Sequence, residues 1–274
     1  MYTGTYKLGI NLMGGTGLSV DDHVAMLKRI GWDGFFTGWE RDLLPAYQAA
    51  AEKYGMIWQS VHAPFHQVRY LWNEGELGEQ VTAELIECVK DCATHNVPVM
   101  VIHPFIGFED HDPTEAGLAN FGRIIEAADS LGVRLGFENV EGEEYLAAIF
   151  EKYAGHPSLG FCLDTGHELC YNRGKDMLAQ YGHALCHTHF NDNIGVTGED
   201  IFWTDDLHLV MGDGIADFSG FMSRIRKTGY DGPLMCELSF ANKPGKNTHD
   251  GYAAMGHEKF YEFALERMRE ITRR

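Results

Sequence analysis

A short stretch in the middle of the chain, residues 160–167, has the residue types of a reactive site. It reads Gly-Phe-Cys-Leu-Asp-Thr-Gly-His, an apolar run that ends at Asp164, and His167 follows three residues later. A buried strand that ends in a carboxylate and an imidazole brings charge to the edge of a core, which is unfavourable unless the charge has a partner. The pair therefore predicts metal binding or proton transfer at the carboxyl end of a strand.

Other apolar runs of the chain end in the same way. The ionisable side chains at or just beyond these ends are His62, His103, Glu138, His189 and Glu237, and after the seventh run Asp206 and His208. Because strand ends converge when parallel strands close into a barrel, we expect these residues to meet at one rim. Strand parity places Cys162 beneath Asp164, and His187 beneath His189, on the same inward face.

Runs five to eight together supply a mixed set of hard oxygen and nitrogen donors. The four residues are Glu138, Asp164, His189 and Glu237. This donor set suits a divalent ion. Three converging carboxylates would repel one another, and a bound cation removes that conflict. We therefore predict a divalent metal ion as the cofactor and expect no organic cofactor.

Each candidate also has a structural interpretation. Taken alone, a strand-end histidine such as His62 or His103 is more often a hydrogen-bonded structural residue than a ligand. His187 is predicted to lie in the core or to support a ligand, Asp213 to be a turn residue, and Asp217 to be a helix N-cap. The functional interpretation is favoured because consecutive strands all end in ionisable groups, which is hard to explain without a shared site.

Regularly alternating elements are predicted to position these residues. Eight short apolar runs have the character of parallel strands covered on both faces, and they span 7–12, 34–39, 58–64, 98–105, 134–140, 159–165, 184–191 and 233–240. Amphipathic helical stretches follow them, several ending at a glycine such as Gly31, and the last is predicted over 249–274. The pattern predicts an α/β fold, a (β/α)8 TIM barrel, as a single domain over 1–274. A doubly wound sheet is the alternative, but Gly-Gly-Thr-Gly at 14–17 does not fit its GxGxxG turn.

The composition narrows the class of partner. Lys and Arg number 22 against 40 Asp and Glu, a formal charge of −18, which disfavours nucleic acid because affinity for a phosphate backbone rests on cationic contacts. No apolar stretch reaches membrane-spanning length and the first nine residues lack a signal-peptide pattern, so we expect a soluble, cytoplasmic protein with no membrane partner. The six cysteines show no CxxC spacing and are predicted to be free thiols.

Five motifs combine into a recognisable set. They are Phe-Glu-Asn at 137–139, Leu-Asp-Thr-Gly-His at 163–167, His-Phe-Asn-Asp at 189–192, Met-Gly-Asp-Gly-Ile-Ala-Asp-Phe at 211–218, and Glu237. The set resembles the xylose isomerase-like TIM-barrel superfamily, which includes sugar phosphate isomerases/epimerases and type IV apurinic endonucleases. The resemblance covers nearly the whole chain and is more specific for the superfamily than for a substrate.

The two branches of this superfamily imply different metal centres. Epimerase-like members imply one ion of manganese, zinc, magnesium or cobalt on Glu138, Asp164, His189 and Glu237, with Glu138 and Glu237 as the catalytic acid/base pair. Their pattern also implies that His167 contacts the substrate. Endonuclease-like members imply three zinc ions, whose additional ligands would be His62, His103, His167, Asp206 and His208.

The leading hypothesis is a metal-dependent isomerase or epimerase of a sugar or sugar phosphate. It would abstract a proton next to a carbonyl, and the metal would stabilise the enediolate. The partner would be a small sugar or polyol, with or without a phosphate, and a homo-oligomer is compatible with the sequence. A multinuclear zinc phosphodiesterase acting on abasic DNA is the alternative, and a non-enzymatic binding barrel is a third hypothesis.

Further residues are candidates for contacts with the substrate. The aromatic candidates for the pocket wall are Trp39, Phe65, Trp72, Phe105 and Trp203. Lys243 and Lys246, which follow the eighth run, are candidates for binding an anionic group, although a solvated loop is the simpler interpretation of both.

Overall fold

Strands and helices alternate along the chain. The computed structural model describes residues 6–109, 112–196 and 198–273. The strands are β1 (Leu8–Asn11), β2 (Gly34–Gly38), β3 (Ile57–His62), β4 (Val99–Ile102), β5 (Arg134–Glu138), β6 (Leu159–Asp164), β7 (Leu185–His189) and β8 (Leu234–Cys236). The helices are α1 (Val20–Ile30), α2 (Leu44–Tyr54), α3 (Glu76–Thr94), α4 (Glu115–Leu131), α5 (Glu143–Lys152), α6 (Thr165–Leu169), α7 (Met177–Tyr181), α8 (Phe218–Thr228), α9 (Asp250–Met255) and α10 (His257–Thr272).

The eight strands form a parallel barrel. Neighbours follow chain order from β1 to β7, and β8 lies beside β1. Between β7 and β8, the Phe190 N–H donates to the Met235 carbonyl at 2.7 Å and the Glu237 N–H donates to the Phe190 carbonyl at 3.2 Å. The predicted (β/α)8 TIM barrel is confirmed, and the carboxyl ends of all eight strands face the same rim.

Local signals set several helix boundaries. The Ser19 hydroxyl accepts from the Asp22 N–H at 3.1 Å, and α1 ends at Gly31 in the left-handed region with φ 109°. Asp217 is the N-cap of α8 and accepts from the Gly220 N–H at 3.0 Å. Because a cap pairs backbone groups that the helix itself leaves unpaired, these boundaries follow from short-range sequence.

Two regions differ from the sequence-based expectation. The single helix predicted over 249–274 is wrong: it is divided into α9 and α10 at Gly256, whose φ of 77° and ψ of 159° interrupt the helical backbone. Helix α6, which begins directly after β6, was not predicted. Asp164 caps it, since its carboxylate accepts from the His167 N–H at 2.7 Å.

The cysteines form no disulfide bonds. All six cysteines are buried and free, as predicted. Among the described residues, no helix combines the length and the apolar character needed to cross a bilayer.

Candidate metal centre and active site

Four of the predicted ligands lie together at the rim. Glu138, Asp164, His189 and Glu237 each offer one ligand atom, and these atoms lie within 4.8 Å of one another. Nδ1 of His189 is 2.8 Å from Oε1 of Glu138 and 3.1 Å from Oε2 of Glu237. Strands β5, β6 and β7 end on the first three residues, and Glu237 directly follows β8. We call these four residues the central group.

Two further clusters flank the central group. His62 and His103 place their Nε2 atoms 3.4 Å and 3.1 Å from Oε2 of Glu138. On the other side, Asp206 lies between His167 and His208, with Oδ1 3.4 Å from Nε2 of His167 and Oδ2 2.8 Å from Nε2 of His208. All nine side chains that the endonuclease-like pattern implies therefore converge on the same rim as three adjoining clusters.

Two carboxylate oxygens in these clusters have no hydrogen-bond partner, although other contacts there, such as His189 with Oε1 of Glu138, are hydrogen bonds. Oε2 of Glu138 and Oδ1 of Asp206 are buried and make no hydrogen bond of good geometry, although imidazole nitrogens lie 3.1–3.4 Å away. Buried carboxylate oxygens normally find a donor. Unpaired carboxylate oxygens with imidazole nitrogens nearby are an arrangement expected around a shared cation, so these residues fit a divalent ion.

The ionisation of the rim shows how much charge it must compensate. Burial raises the pKa of Asp164 to about 6. Burial would raise the pKa of Glu237, but His189 lowers it to about 2. Burial would lower the pKa of His208, but Asp206 raises it to about 9. The pKa of His167 is also raised well above its usual value, against burial, by Asp164 and Asp206. The carboxylates and imidazoles of the rim thus shift one another's pKa values because they are crowded together in a buried site.

Asparagines that sequence reasoning missed position Asp164. The Asn191 side-chain amide donates to Oδ2 of Asp164 at 2.7 Å. The Asn139 side-chain oxygen accepts from the Asp164 N–H at 2.7 Å, and the Asn139 side-chain amide donates to the Asp164 carbonyl at 2.9 Å. Both asparagines are fully buried. The signal was present in the sequence, because each asparagine closely follows a predicted ligand, Glu138 or His189.

Asp192 anchors the loop that carries Asp206 and His208. Its two carboxylate oxygens are buried and accept four backbone N–H groups, from Asn193, Gly212, Gly214 and Ala216, at 2.8–3.0 Å. His208 lies within this loop at φ 53°, a conformation that costs a residue with a side chain about 1–3 kcal/mol. Asp192 is therefore a positioning residue for the flanking cluster.

Beneath the rim lies a layer of neutral side chains. His187 faces Ser60, with Nε2 3.2 Å from the hydroxyl, and burial lowers its pKa well below the usual value. Cys162 is also buried in this layer. The structure places His187 in the barrel interior, in agreement with its structural interpretation.

A cavity of about 530 Å³ opens in front of the clusters. Its described lining includes His62, His103, His167, Asp206, His208 and Glu237, together with Phe65, Phe108, Tyr171, Trp203 and Lys243. Trp39 lines a neighbouring cavity of about 400 Å³. Trp72 and Phe105 are buried in the hydrophobic core, so their assignment to the pocket wall was wrong.

Curated proteins are similar in sequence to part of the chain. An uncharacterized protein of Methanocaldococcus jannaschii is 25% identical over 198 residues, covering 65% of this chain and 63% of that protein. A probable endonuclease 4 of Chloroflexus aurantiacus is 26% identical over 156 residues, covering 51% and 52%. The chain thus matches less than two-thirds of the length of either curated relative.

Solved structures resemble the chain over almost its full length. A xylose isomerase domain protein from Planctomyces limnophilus superposes with a TM-score of 0.74 at 16% identity and covers 97% of both chains. D-allulose 3-epimerase from Methylomonas sp., in complex with D-allulose, gives 0.71 at 15% identity and covers 98% of both. These likenesses show the fold. The model of the xylose isomerase-like TIM barrel family matches residues 17–257, and the chain belongs to that family.

Proposed function

We propose that the protein is a divalent-metal-dependent isomerase or epimerase of a sugar or sugar phosphate. One observation carries the proposal: Glu138 and Glu237 flank His189, with carboxylate oxygens 2.8 Å and 3.1 Å from the same imidazole nitrogen. Two carboxylates beside one metal position are what a reaction that removes and returns a proton needs. The D-allulose 3-epimerase and the D-tagatose 3-epimerase-like protein among the structural neighbours support a sugar as the substrate.

Each residue of the central group has a role in this proposal. Asp164 and His189 would hold the ion together with both glutamates, and Asn191 would fix the orientation of Asp164. A bound divalent ion would act as a Lewis acid that makes the C–H next to a substrate carbonyl more acidic. One glutamate would take that proton and the other would return a proton, on the opposite face in an epimerase or at the neighbouring carbon in an isomerase. The glutamate that takes the proton must be ionised, and both carboxylates are close enough to the His189 position to act on a substrate bound there.

A hydrolytic reaction on three zinc ions is the second candidate. The two flanking clusters favour this candidate. A reaction on one ion needs only the central group, and it does not explain why the histidines and Asp206 of the flanking clusters also converge at the rim. The endonuclease relative supports the same reading. A formal charge of −18 and a compact cavity favour a small substrate over DNA.

Solvent isotope exchange separates the two candidates. Protein purified without chelator is analysed for metal and then incubated in D2O with ketohexoses and their phosphates. We expect deuterium to enter the substrate carbon next to the carbonyl, detected by NMR. The exchange should be lost in Glu237→Gln and retained in Glu115→Gln, a control at an exposed glutamate.

A contrary result is equally clear. If the protein binds three zinc ions and nicks an abasic oligonucleotide but exchanges no deuterium, the isomerase assignment is wrong and the hydrolase is supported. If Glu237→Gln leaves metal-dependent turnover unchanged, Glu237 is not part of the acid/base pair.

A further inference from the structure

Four aromatic rings line the cavity in front of the metal clusters. They belong to Phe65, Phe108, Tyr171 and Trp203, and we call them the aromatic lobe. They come from four different connections after β3, β4, β6 and β7. Rings that are distant in sequence therefore line one cavity, and the apolar surface does not come from a single loop.

The aromatic lobe begins directly at the candidate metal ligands. Phe65 stacks on the His103 ring with centroids 4.7 Å apart, and Tyr171 lies 4.8 Å from the His167 ring. Phe108 continues the wall outward, 6.0 Å from Tyr171. A molecule bound at the clusters would therefore also contact these aromatic rings, because they lie directly beside the histidines.

The outer rings of the lobe are exposed. Trp203 is 52% exposed and Phe108 is 41% exposed. Exposed apolar side chains beside a polar site are a feature of ligand-binding grooves.

Polar groups beside the lobe already have protein partners. The Lys243 ammonium lies 5.4 Å above the Trp203 ring and 3.5 Å from Oδ2 of Asp206. Glu141 is buried and accepts from the Gly107 N–H at 2.9 Å. Lys243 and Glu141 thus already have protein partners, and the rings of the lobe offer apolar faces to a ligand.

From this arrangement we propose that the substrate has two parts, a polyol that lies on the metal clusters and a planar apolar group that occupies the aromatic lobe. An aryl-substituted sugar is the simplest member of this class. The proposal rests on the proposed metal-dependent function and narrows its substrate. The cavity of about 530 Å³ lies in the range of sites that hold ligands considerably larger than one hexose.

Hydroxamates test the lobe without knowledge of the sugar. They chelate divalent ions through two neighbouring oxygens, as a ketose would, and benzohydroxamate adds a phenyl ring where acetohydroxamate has a methyl group. Titration calorimetry on the metal-loaded protein should show benzohydroxamate binding about tenfold tighter or more, as burial of a phenyl ring predicts. Trp203→Ala and Phe108→Ala should each reduce this preference about threefold or more while the metal content stays unchanged.

Phe202→Ala is the matched control, because Phe202 is 58% exposed and adjacent to Trp203 but does not line this cavity. It should retain the full preference. If both hydroxamates bind equally well to the wild-type protein, or if the three variants behave alike, the aromatic lobe does not select the substrate, and the metal-dependent function stands. If neither hydroxamate binds to metal-loaded protein, the clusters are closed to a chelating substrate and the proposed function fails as well.

Discussion

Two histidines on β7 lie in two different layers of the barrel and differ in their contacts and in their pKa values. His189, at the rim, contacts the carboxylates of Glu138 and Glu237. Burial opposes the shift, but Cys162 and these two carboxylates raise the pKa of His189 well above its usual value. His187, two residues earlier, faces the Ser60 hydroxyl in the inner layer, and burial lowers its pKa. Both are fully buried. Burial alone therefore does not distinguish a candidate ligand from a packed residue, whereas the neighbouring charges do.

The rim should tolerate substitution far less than the inner layer. Glu138 borders both the central group and the cluster with His62 and His103, so Glu138→Gln removes a charge that two groups share. We expect turnover to fall about 10²–10⁴-fold and metal content to drop, measured by turnover assay and elemental analysis. Glu115→Gln serves as the exposed control. Full metal content and activity in Glu138→Gln would mean that the rim is not a metal centre.

Asp192 tests whether the rim depends on a buried anchor. In Asp192→Asn, one of the two acceptor oxygens is replaced by an NH2 group that faces two backbone donors, which should release the loop with Asp206 and His208. We expect metal affinity at this flanking cluster to fall about 10–100-fold, as for other residues that position ligands, while the central group keeps its ion. Stepwise metal titration resolves the two effects. Equal loss at both sites would instead indicate general unfolding.

The inner layer should affect stability and not metal binding. His187→Gln leaves a side chain that can still bond the Ser60 hydroxyl but packs less well, so we expect the free energy of unfolding to fall by about 1–3 kcal/mol. Metal content should stay at the wild-type value. A variant that keeps its stability but loses metal would show that His187 takes part in metal binding. The predicted difference between the rim and the inner layer would then be wrong.

His23 extends the comparison to a neutral histidine far from the rim. Its Nε2 lies 2.8 Å from the Tyr261 hydroxyl, and burial, with His257 nearby, lowers its pKa to about 4 from 6.5. As pH falls below 6.5 the unfolded chain takes up this proton first, so the stabilising contribution is complete above pH 6.5 and is lost as pH approaches 4. Because one pKa unit corresponds to about 1.4 kcal/mol, we expect an effect of about 2–3 kcal/mol.

Urea unfolding of the wild type and His23→Gln between pH 7 and pH 4 measures this contribution. Gln keeps an acceptor for the Tyr261 hydroxyl but does not titrate. The wild type should lose more stability over this range than the variant. Parallel pH dependence in the two proteins would show that His23 does not titrate as its surroundings indicate.

Much of this molecule could be predicted because its signals are local. The apolar runs and the glycine at Gly31 follow from short-range preferences, and strand parity alone separates the faces of β6 and β7. The sequence also identified Glu138, Asp164 and Glu237 as candidates, because charge at the end of an apolar strand is anomalous wherever the barrel places it.

Long-range contacts account for what the sequence left open. Trp72 and Trp203 are the same residue type, yet Trp72 is buried and donates to the Pro104 carbonyl at 2.8 Å, whereas Trp203 faces the cavity. No local pattern distinguishes them, because burial depends on which elements pack nearby.

The chain by itself therefore determined the order of its elements and the chemical types of residue at the strand ends. Only the tertiary structure decided that His189 meets two carboxylates while His187 meets a hydroxyl, and that Asp192 holds a loop that begins after β7. The physical reason is that hydrogen bonds and charge interactions act over a few ångströms in space. Barrel closure brings β7 beside β8, although Phe190 and Cys236 are far apart along the chain.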